Sequence, residues 1–543
     1  MNTVFRNGHV FDGHRYRRDI AVAVSDGRIV AVGADDEAAS YAGAGAVEVD
    51  LAGGLLLPGF QDAHVHPLQG GLERTRCSLS DLGTREEYLA EVARYAKANP
   101  DLDWICGGGW SMAVFPGGTP EAADLDAVVP DRPVFLPNRD HHGVWVNSRA
   151  LEVAGIDART PDPVDGRIER TPDGTPTGTL HEGAMELVAQ HIPATSDEQY
   201  YQALLVAQEY LHSLGITAWQ DAILGEYAGT DDTAPTYLRA SQRGELSAAV
   251  VGALWWERER GAEQIEGLID RREQFSHGRL RATSVKIMQD GVAENFTAGM
   301  TAPYLDGCGC RSGNAGLSFV DPEDLKKHVT VLDAAGFQVH FHAIGDRAVR
   351  EALDAFEAAR SVNGRNDSRH QIAHVQMVHP DDRARFTALG VCANIQPLWA
   401  CLDQQIVELT IPFLSPERVA WQYPFGDLAR AGVHLAAGSD WPVSSPNPLL
   451  GIHVAVNRWG YGEPGPAGSE TFLPEQRLSL EQGFAAYTSG AAFVNHLDDT
   501  GTLQVGKRAD LAILDRDPFA GDLAEVGAAT VVATYVGGTP VYG

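Results

Sequence analysis

The stretch that decides the fold is Leu-Leu-Leu-Pro-Gly-Phe-Gln-Asp-Ala-His-Val-His-Pro, residues 55–67. Its apolar start predicts a buried strand, and His64 and His66 lie two residues apart at the strand's end. Side chains two apart on a strand point to the same face, so these imidazoles can bind one metal ion. A pair of hydrogen-bonded polar residues at a strand end would show the same pattern, so further ligands must decide between the two interpretations.

Lys286 lies inside a second apolar stretch, Ala-Thr-Ser-Val-Lys-Ile-Met-Gln-Asp-Gly at residues 282–291, in a chain with few lysines. A lysine within an apolar strand costs free energy unless it is paired or chemically altered. One interpretation is a side chain that extends to the strand end and reaches water. The other is a desolvated amine that reacts with carbon dioxide, and the resulting carbamate bridges two metal ions.

Three more apolar strands end in residue types that bind metal ions. In Val-His-Phe-His, His342 is expected at the carboxyl end of the strand, and His340 lies one layer deeper as a core histidine. His374 ends another strand, and Asp440 follows a third. The series His-x-His, Lys, His, His, Asp therefore falls at strand ends throughout, which favours a single metal centre over isolated polar residues.

These residues and their surroundings resemble the amidohydrolase superfamily of metal-dependent hydrolases, and within it the branch that contains N-substituted formamide deformylase. The matching stretches are residues 57–66, 215–218 (Gly-Ile-Thr-Ala), 342–348 (His-Ala-Ile-Gly-Asp-Arg-Ala), 438–442 (Gly-Ser-Asp-Trp-Pro) and 501–511. The resemblance covers nearly the whole chain. It implies an α/β fold, a (β/α)8 TIM barrel, with a binuclear metal centre.

By position, the resemblance implies six metal ligands: His64, His66, Lys286 as a carboxylated lysine, His342, His374 and Asp440. Two divalent ions would share carboxylated Lys286 and a bridging hydroxide. Zinc is the first expectation, and the same donors accept Mn²⁺, Fe²⁺ or Co²⁺. Asp440 would be the catalytic residue that takes the water proton and passes it to the departing nitrogen. The expected reaction is hydrolysis of a non-peptide C–N bond in a small amide, N-acyl or N-substituted formamide substrate.

Other functions remain open at this point. A mononuclear deaminase of the same superfamily would use His64, His66, His342 and Asp440, but it does not require Lys286. Lactones, esters and cyclic amides or ureas are further substrates for such a barrel, and the fold alone does not choose among them. A non-catalytic barrel is disfavoured because every one of the six ligand positions is filled.

The net charge and composition of the chain limit the kinds of partner that it can bind. A net charge of −31 and a pI near 4.9 argue against nucleic acids and anionic membranes as partners. A small-molecule substrate is the partner that the resemblance implies. No apolar run reaches the length of a membrane span. The six cysteines are too few and too scattered for a disulfide framework. The first residues show no signal-peptide core, so a cytoplasmic enzyme is expected, with a homodimer as the usual assembly of this fold group.

Periodicity predicts three parts of the chain. Short alternating strands at residues 1–57 and 491–543 are expected to pair into one small β-sandwich. Residues 58–490 alternate strands with helices and form the hydrolase barrel. Residues from about 70 to 200 are an insertion after barrel strand 1, and insertions at that face lie over the catalytic pocket.

Five side chains are candidates for substrate contacts: Trp110, His142, Glu182, Trp399 and Trp441. The alternatives are ordinary ones: loop structure for His142, a core position for Trp110, and for Glu182 a carboxylate in the first turn of a helix that it begins. Trp399 and Trp441 follow barrel strands, so an aromatic pocket is expected there.

Overall fold

The computed structural model describes residues 2–34, 38, 40–41, 45–80, 82–227, 230–462 and 471–543. Eight parallel strands form its central sheet, and each pairs with the next along the chain. Barrel strands 1 to 8 are Phe60–Val65, Ile216–Leu224, Ala249–Trp255, Leu280–Met288, Gln338–Ala343, Gln371–His374, Cys392–Ile395 and Leu435–Ala437. This order confirms the predicted barrel.

The barrel is almost closed between strands 8 and 1. The amide of Asp440 donates to the carbonyl of His64 at 2.7 Å, and the amide of His66 donates to the carbonyl of Trp441 at 2.8 Å. Gly438 permits this approach, because a Cβ there would lie 2.6 Å from the backbone nitrogen of His64. The two segments that carry the outermost predicted ligands are therefore held side by side.

Helices follow the barrel strands and cover them. The helices outside the insertion are Pro67–Thr75, Asp197–Ser213, Ala234–Arg243, Ile265–Gln274, Pro322–Ala334, Asp346–Asn363, Pro380–Leu389, Pro416–Val419, Phe425–Arg430, Pro448–Asn457, Leu480–Ala485 and Ala491–Val494. Local signals set several of their starts: Ser196 caps one helix in a capping box with Gln199, and Asp321 caps another before Pro322.

Alternation along each strand separates core from site. In barrel strand 5, Val339 and Phe341 belong to the buried apolar cluster between sheet and helices, whereas His340 and His342 face the interior. A period of two makes this division unavoidable once one face is apolar. The same alternation places the side chains of His64, on strand 1, and Lys286, on strand 4, in the interior of the barrel.

The insertion is a folded unit with its own sheet, rather than a set of loops. Its strands, in sheet order, are Gly166–Arg170, Pro176–Glu182, Gly143–Val146, Val134–Pro137, Ile105–Gly108 and Cys77–Ser78. Its helices are Arg85–Ala98, Ala122–Asp126, Ser148–Ala154 and Glu186–Ala189. Two apolar clusters lie on this sheet. Glu182 ends a strand, so its expected place in the first turn of a helix was wrong; the 3-10 turn Gly183–Met185 follows it and leads into the helix Glu186–Ala189.

Two further sheets involve the chain ends. A six-stranded sheet combines both termini: Thr539–Tyr542, Val531–Val536, Leu511–Leu514, Leu55–Pro58, His9–Phe11 and Tyr16–Arg17. A four-stranded sheet comes from the amino-terminal part: Arg28–Gly33, Ala21–Ser25, Thr3–Arg6 and Val47–Asp50. Side chains of both sheets share one apolar cluster, which includes Phe5, Val22, Leu56 and Leu511.

Candidate metal centre

All six predicted ligands line one buried cavity of about 60 Å³. They come from the carboxyl ends of five barrel strands and the segments that follow: His64, His66, Lys286, His342, His374 and Asp440. None exposes more than a tenth of its surface. The carboxyl ends of barrel strands are where active sites of such barrels form, because side chains from different strands converge there.

Asp440 lies at the centre of this group. Its Oδ1 is 3.0 Å from His66 Nε2 and 3.2 Å from His64 Nε2, and its Oδ2 is 4.0 Å from His374 Nδ1. Burial alone would raise its pKa, but the interactions with His66, His374 and Lys286 hold the pKa of Asp440 below its ordinary value. Asp440 is therefore an anion under ordinary conditions.

Two of these residues adopt backbone conformations that side chains rarely take. The φ angle is 75° at His374 and 56° at Asp440, both in the left-handed region. Such conformations cost on the order of 1–3 kcal/mol and persist only where the surrounding structure enforces them. Their occurrence at two predicted ligands indicates that the barrel fixes these side chains for a purpose other than stability.

Lys286 is fully inside this cavity. Its Nζ lies 3.3 Å from His64 Nε2, and burial lowers the pKa of Lys286 to about 7. The interpretation of a side chain that reaches water is therefore wrong, since only 3% of Lys286 is exposed. An amine with this pKa is partly neutral near physiological pH, which is the form that reacts with electrophiles.

His342 and His374 complete the group on the other side. Their rings lie 4.5 Å apart, and His342 Nε2 is 3.3 Å from the carbonyl of Gly291. Since that nitrogen faces a carbonyl acceptor, it carries the proton and Nδ1 is the nitrogen of His342 with a lone pair. The ring of His374 is stacked on Trp399, with centroids 5.2 Å apart and planes 7° from parallel.

The donor set fits divalent metal ions. Nitrogen or oxygen atoms of His64, His374 and Asp440 all lie within 4.8 Å of one another. His374 Nδ1 and Asp440 Oδ1 are buried without a hydrogen-bond partner, which is costly for polar atoms unless something else binds them. Imidazole, carboxylate and carbamate ligands suit zinc, manganese, iron and cobalt alike.

The insertion adds a buried ion pair beside the predicted ligands. His142 lines the same cavity, and its Nδ1 is 3.0 Å from a carboxylate oxygen of Glu182. Burial would lower the pKa of His142, but Glu182 overrides that effect and raises it to about 9. Thr297, in the loop after barrel strand 4, donates to Glu182 at 2.8 Å, so this pair ties the insertion to the barrel.

A larger cavity of about 540 Å³ adjoins the inner one, and Asp140 and Trp399 line both. Trp399, Trp441, Tyr210 and Tyr423 supply its aromatic walls. The expected aromatic pocket therefore contains both tryptophans that follow barrel strands.

Trp110 does not belong to this pocket. It is fully buried in the insertion, packs against Phe115 and Trp145, and donates its indole N–H to the carbonyl of Leu136 at 2.7 Å. Among the described residues that line either cavity, Trp110 is absent. Its placement supports the core alternative, since a tryptophan of this size with its polar atom satisfied needs no ligand.

Sequence reasoning missed a layer of polar side chains under the predicted ligands. We call it the amide lattice, and its members are Gln220, Ser284, Gln338, Gln371 and Asn394. Each is at most 4% exposed, and they hydrogen-bond to one another inside the barrel. Amide side chains within or at the start of apolar strands were the available signal, because buried amides are expensive unless paired.

Comparison with known proteins identifies the family. The model of the amidohydrolase family matches residues 47–542. The chain belongs to the amidohydrolase family. It is 33% identical to the protein LONG AFTER FAR-RED 3 of Arabidopsis thaliana, over 96% of this chain and 88% of that one. It is 27% identical to an N-substituted formamide deformylase of Arthrobacter pascens, over 96% and 94%.

Solved structures agree with this assignment. An uncharacterized metal-dependent hydrolase of Pyrococcus horikoshii is 26% identical, with a TM-score of 0.74 over 96% of this chain and 99% of that one. The predicted membership of the amidohydrolase superfamily is confirmed, and the chain is a hydrolase of that family. Among the helices of the described residues, none combines the length and apolar character that crossing a membrane requires.

Proposed function

We propose that this amidohydrolase-family protein hydrolyses a C–N bond of a small amide, N-acyl amine or N-substituted formamide at a binuclear metal centre. The single observation that carries the proposal is the convergence of six donor side chains on one buried cavity. His64, His66 and Asp440 would hold one ion, and His342 and His374 the other, with carboxylated Lys286 between them. Zinc is the first choice for both ions.

Divalent ions in this cavity would lower the pKa of a water molecule and polarise the substrate carbonyl. The chain's own residues then have to move a proton. The carboxylate of Asp440 is anionic, buried and central, so it can accept a proton from water at Oδ2 and return it to the departing nitrogen. Its φ of 56° and the hydrogen bond from its amide to the carbonyl of His64 fix the backbone from which that carboxylate projects, which favours both transfers.

Other side chains exclude water and orient the substrate. Trp399 and Trp441 line the outer cavity, which is large enough for the group attached to the amide nitrogen. His142, held by Glu182, lines the inner cavity on the insertion side and offers its second ring nitrogen as a hydrogen-bonding group. The substrate would lie with its carbonyl towards Lys286 and its nitrogen substituent towards the aromatic walls.

The Arthrobacter pascens relative supports formamides as the first substrates to test. The purified protein, supplied with Zn²⁺ and bicarbonate, would be assayed with N-substituted formamides, N-acyl amines, lactones and cyclic amides, with Asp440→Asn as the matched control. Release of a primary amine by the wild type alone would support C–N hydrolysis. Turnover of lactones alone would replace that reaction with ester hydrolysis.

A mononuclear centre is the second candidate, because only His64, His374 and Asp440 among the described residues bring their ligand atoms within 4.8 Å of one another. Such a centre would suit a deaminase. Release of ammonia from amino-substituted heterocycles, with one metal ion per chain, would favour this function over the binuclear one.

A further inference from the structure

His64 is connected to the floor of the barrel through a continuous set of buried hydrogen bonds. His64 Nδ1 lies 2.8 Å from His340 Nε2, and His340 Nδ1 lies 3.0 Å from Gln220 Oε1. His340 and Gln220 are both fully buried. A metal can bind His64 at Nε2 only if the ring proton is on Nδ1, so these partners bear directly on metal affinity.

Backbone carbonyls fix the orientation of the amide lattice. The Nε2 of Gln338 lies between the carbonyls of Arg369 (2.9 Å) and Val494 (2.6 Å), so this atom must be the donor. Its Oε1 is then an acceptor, and it faces Gln220 Nε2 at 3.1 Å. The nitrogen of the Gln220 amide is therefore the atom that faces Gln338, and its oxygen must be the atom that faces His340.

A second route leads to the same orientation. Asn394 Nδ2 donates to the carbonyl of Ala63 at 2.8 Å and to Gln371 Oε1 at 2.7 Å. Gln371 therefore presents Nε2 to Gln220 Oε1, at 2.6 Å. Two independent backbone anchors thus assign the same atom of Gln220 as an oxygen acceptor.

The consequence reaches the metal centre. Because Gln220 Oε1 accepts, His340 carries its proton on Nδ1. A second proton on Nε2 would leave an unpaired positive charge in the barrel interior, so Nε2 accepts from His64. His64 then has its proton on Nδ1 and its lone pair on Nε2, the atom beside Lys286 and Asp440.

We propose that Gln338, Gln220 and His340 form a positioning relay that sets the tautomer of His64 and thereby its affinity for metal. It rests on the proposed metal centre, but it concerns residues that touch neither metal nor substrate. The relay also links Val494, in the carboxyl-terminal part of the chain, to the first metal ligand after four hydrogen bonds.

The test uses two matched pairs of variants in the Zn²⁺-loaded, full-length protein, titrated with a chromophoric chelator. His340→Leu removes the acceptor for His64 and should weaken Zn²⁺ binding roughly 10- to 100-fold. His340→Gln places an amide oxygen at similar reach and should restore affinity to within about 3-fold of wild type. Gln220→Leu should weaken binding, whereas Gln371→Leu, an equally buried change beside it, should not, since Gln338 still orients Gln220.

The second readout is ¹⁵N NMR of the histidine rings in the metal-stripped chain, with His64 assigned by its loss in His64→Gln. Wild type and His340→Gln should show the proton on Nδ1, and His340→Leu a mixture of tautomers. Equal weakening in all four variants would overturn the relay in favour of simple packing, as would unchanged affinity and tautomer in His340→Leu. If wild type binds no Zn²⁺, the metal-centre proposal fails, and the relay is decided by the tautomer of His64 alone.

Discussion

Replacement of Lys286 gives the sharpest test of the binuclear centre. Burial lowers the pKa of its amine to about 7. At pH 7.5 about three-quarters of such amines are neutral, against roughly one in a thousand for an exposed lysine with a pKa near 10.4. Only the neutral amine can react with carbon dioxide, so Lys286 is far better prepared for carboxylation than an exposed lysine.

Lys286→Ala removes the bridging group and should reduce the metal content from two ions per chain to one or fewer. If the lost ion contributes a few kcal/mol to stabilisation of the transition state, kcat should fall by about 10²- to 10³-fold. The assay is elemental analysis of protein prepared with Zn²⁺ and bicarbonate, beside kcat for the best formamide. Lys327→Ala is the control, because its amine is exposed and pairs with Asp324 at the surface.

Dependence on pH adds an independent check. As pH falls from 8 to 6, the neutral fraction of Lys286 drops to about a tenth, so carboxylation and the second ion should be lost in wild type. Propionate, which can occupy the space left in Lys286→Ala, should partly restore both metal content and activity. A content of one metal ion per chain in both wild type and variant, at every pH, would refute the bridging role of Lys286. It would favour the mononuclear function instead.

Three further outcomes are expected. Asp440→Asn keeps the size of the side chain but removes the carboxylate that accepts the proton, so kcat should fall about 10²- to 10⁴-fold. An unchanged pH–rate profile would contradict the role of Asp440 in proton transfer. Glu182→Gln breaks a buried pair and should destabilise the protein by about 3–5 kcal/mol in denaturant unfolding at pH 7. Because Glu182 raises the pKa of His142, that stabilisation is complete below about pH 6.5 and is lost as pH rises through about 9, so the difference should narrow at pH 10. Trp399→Ala removes the ring stacked on His374 and should raise KM about 5-fold for substrates with aromatic substituents, with metal content unchanged and Trp399→Phe near wild type.

The predicted ligand set follows from sequence because few physical rules are needed to reach it. Apolar runs predict the barrel strands, a period of two places alternate side chains inside, and parallel strands deliver their last residues to one face. His342 and His340 illustrate the result: alternation turns both side chains inward, and their positions along the strand place His342 at its carboxyl end and His340 one layer deeper.

The insertion could not be predicted in the same way. Trp110 and Glu182 belong to strands and turns whose pairing joins residues far apart in sequence, so their surroundings depend on tertiary contacts. Trp110 therefore lies in a core, while Glu182 ends a strand against His142. The division of the chain at residues 57 and 490 stays a prediction.

The sequence by itself determined the barrel and which side chains converge at its carboxyl ends, because strand periodicity and the alternation of strands with helices can be read along the chain. Only the tertiary structure decided the depressed pKa of Lys286, the partner of Glu182 and the acceptor that orients His64. Each of these depends on burial and on hydrogen bonds between distant strands, and neither leaves a pattern along the chain.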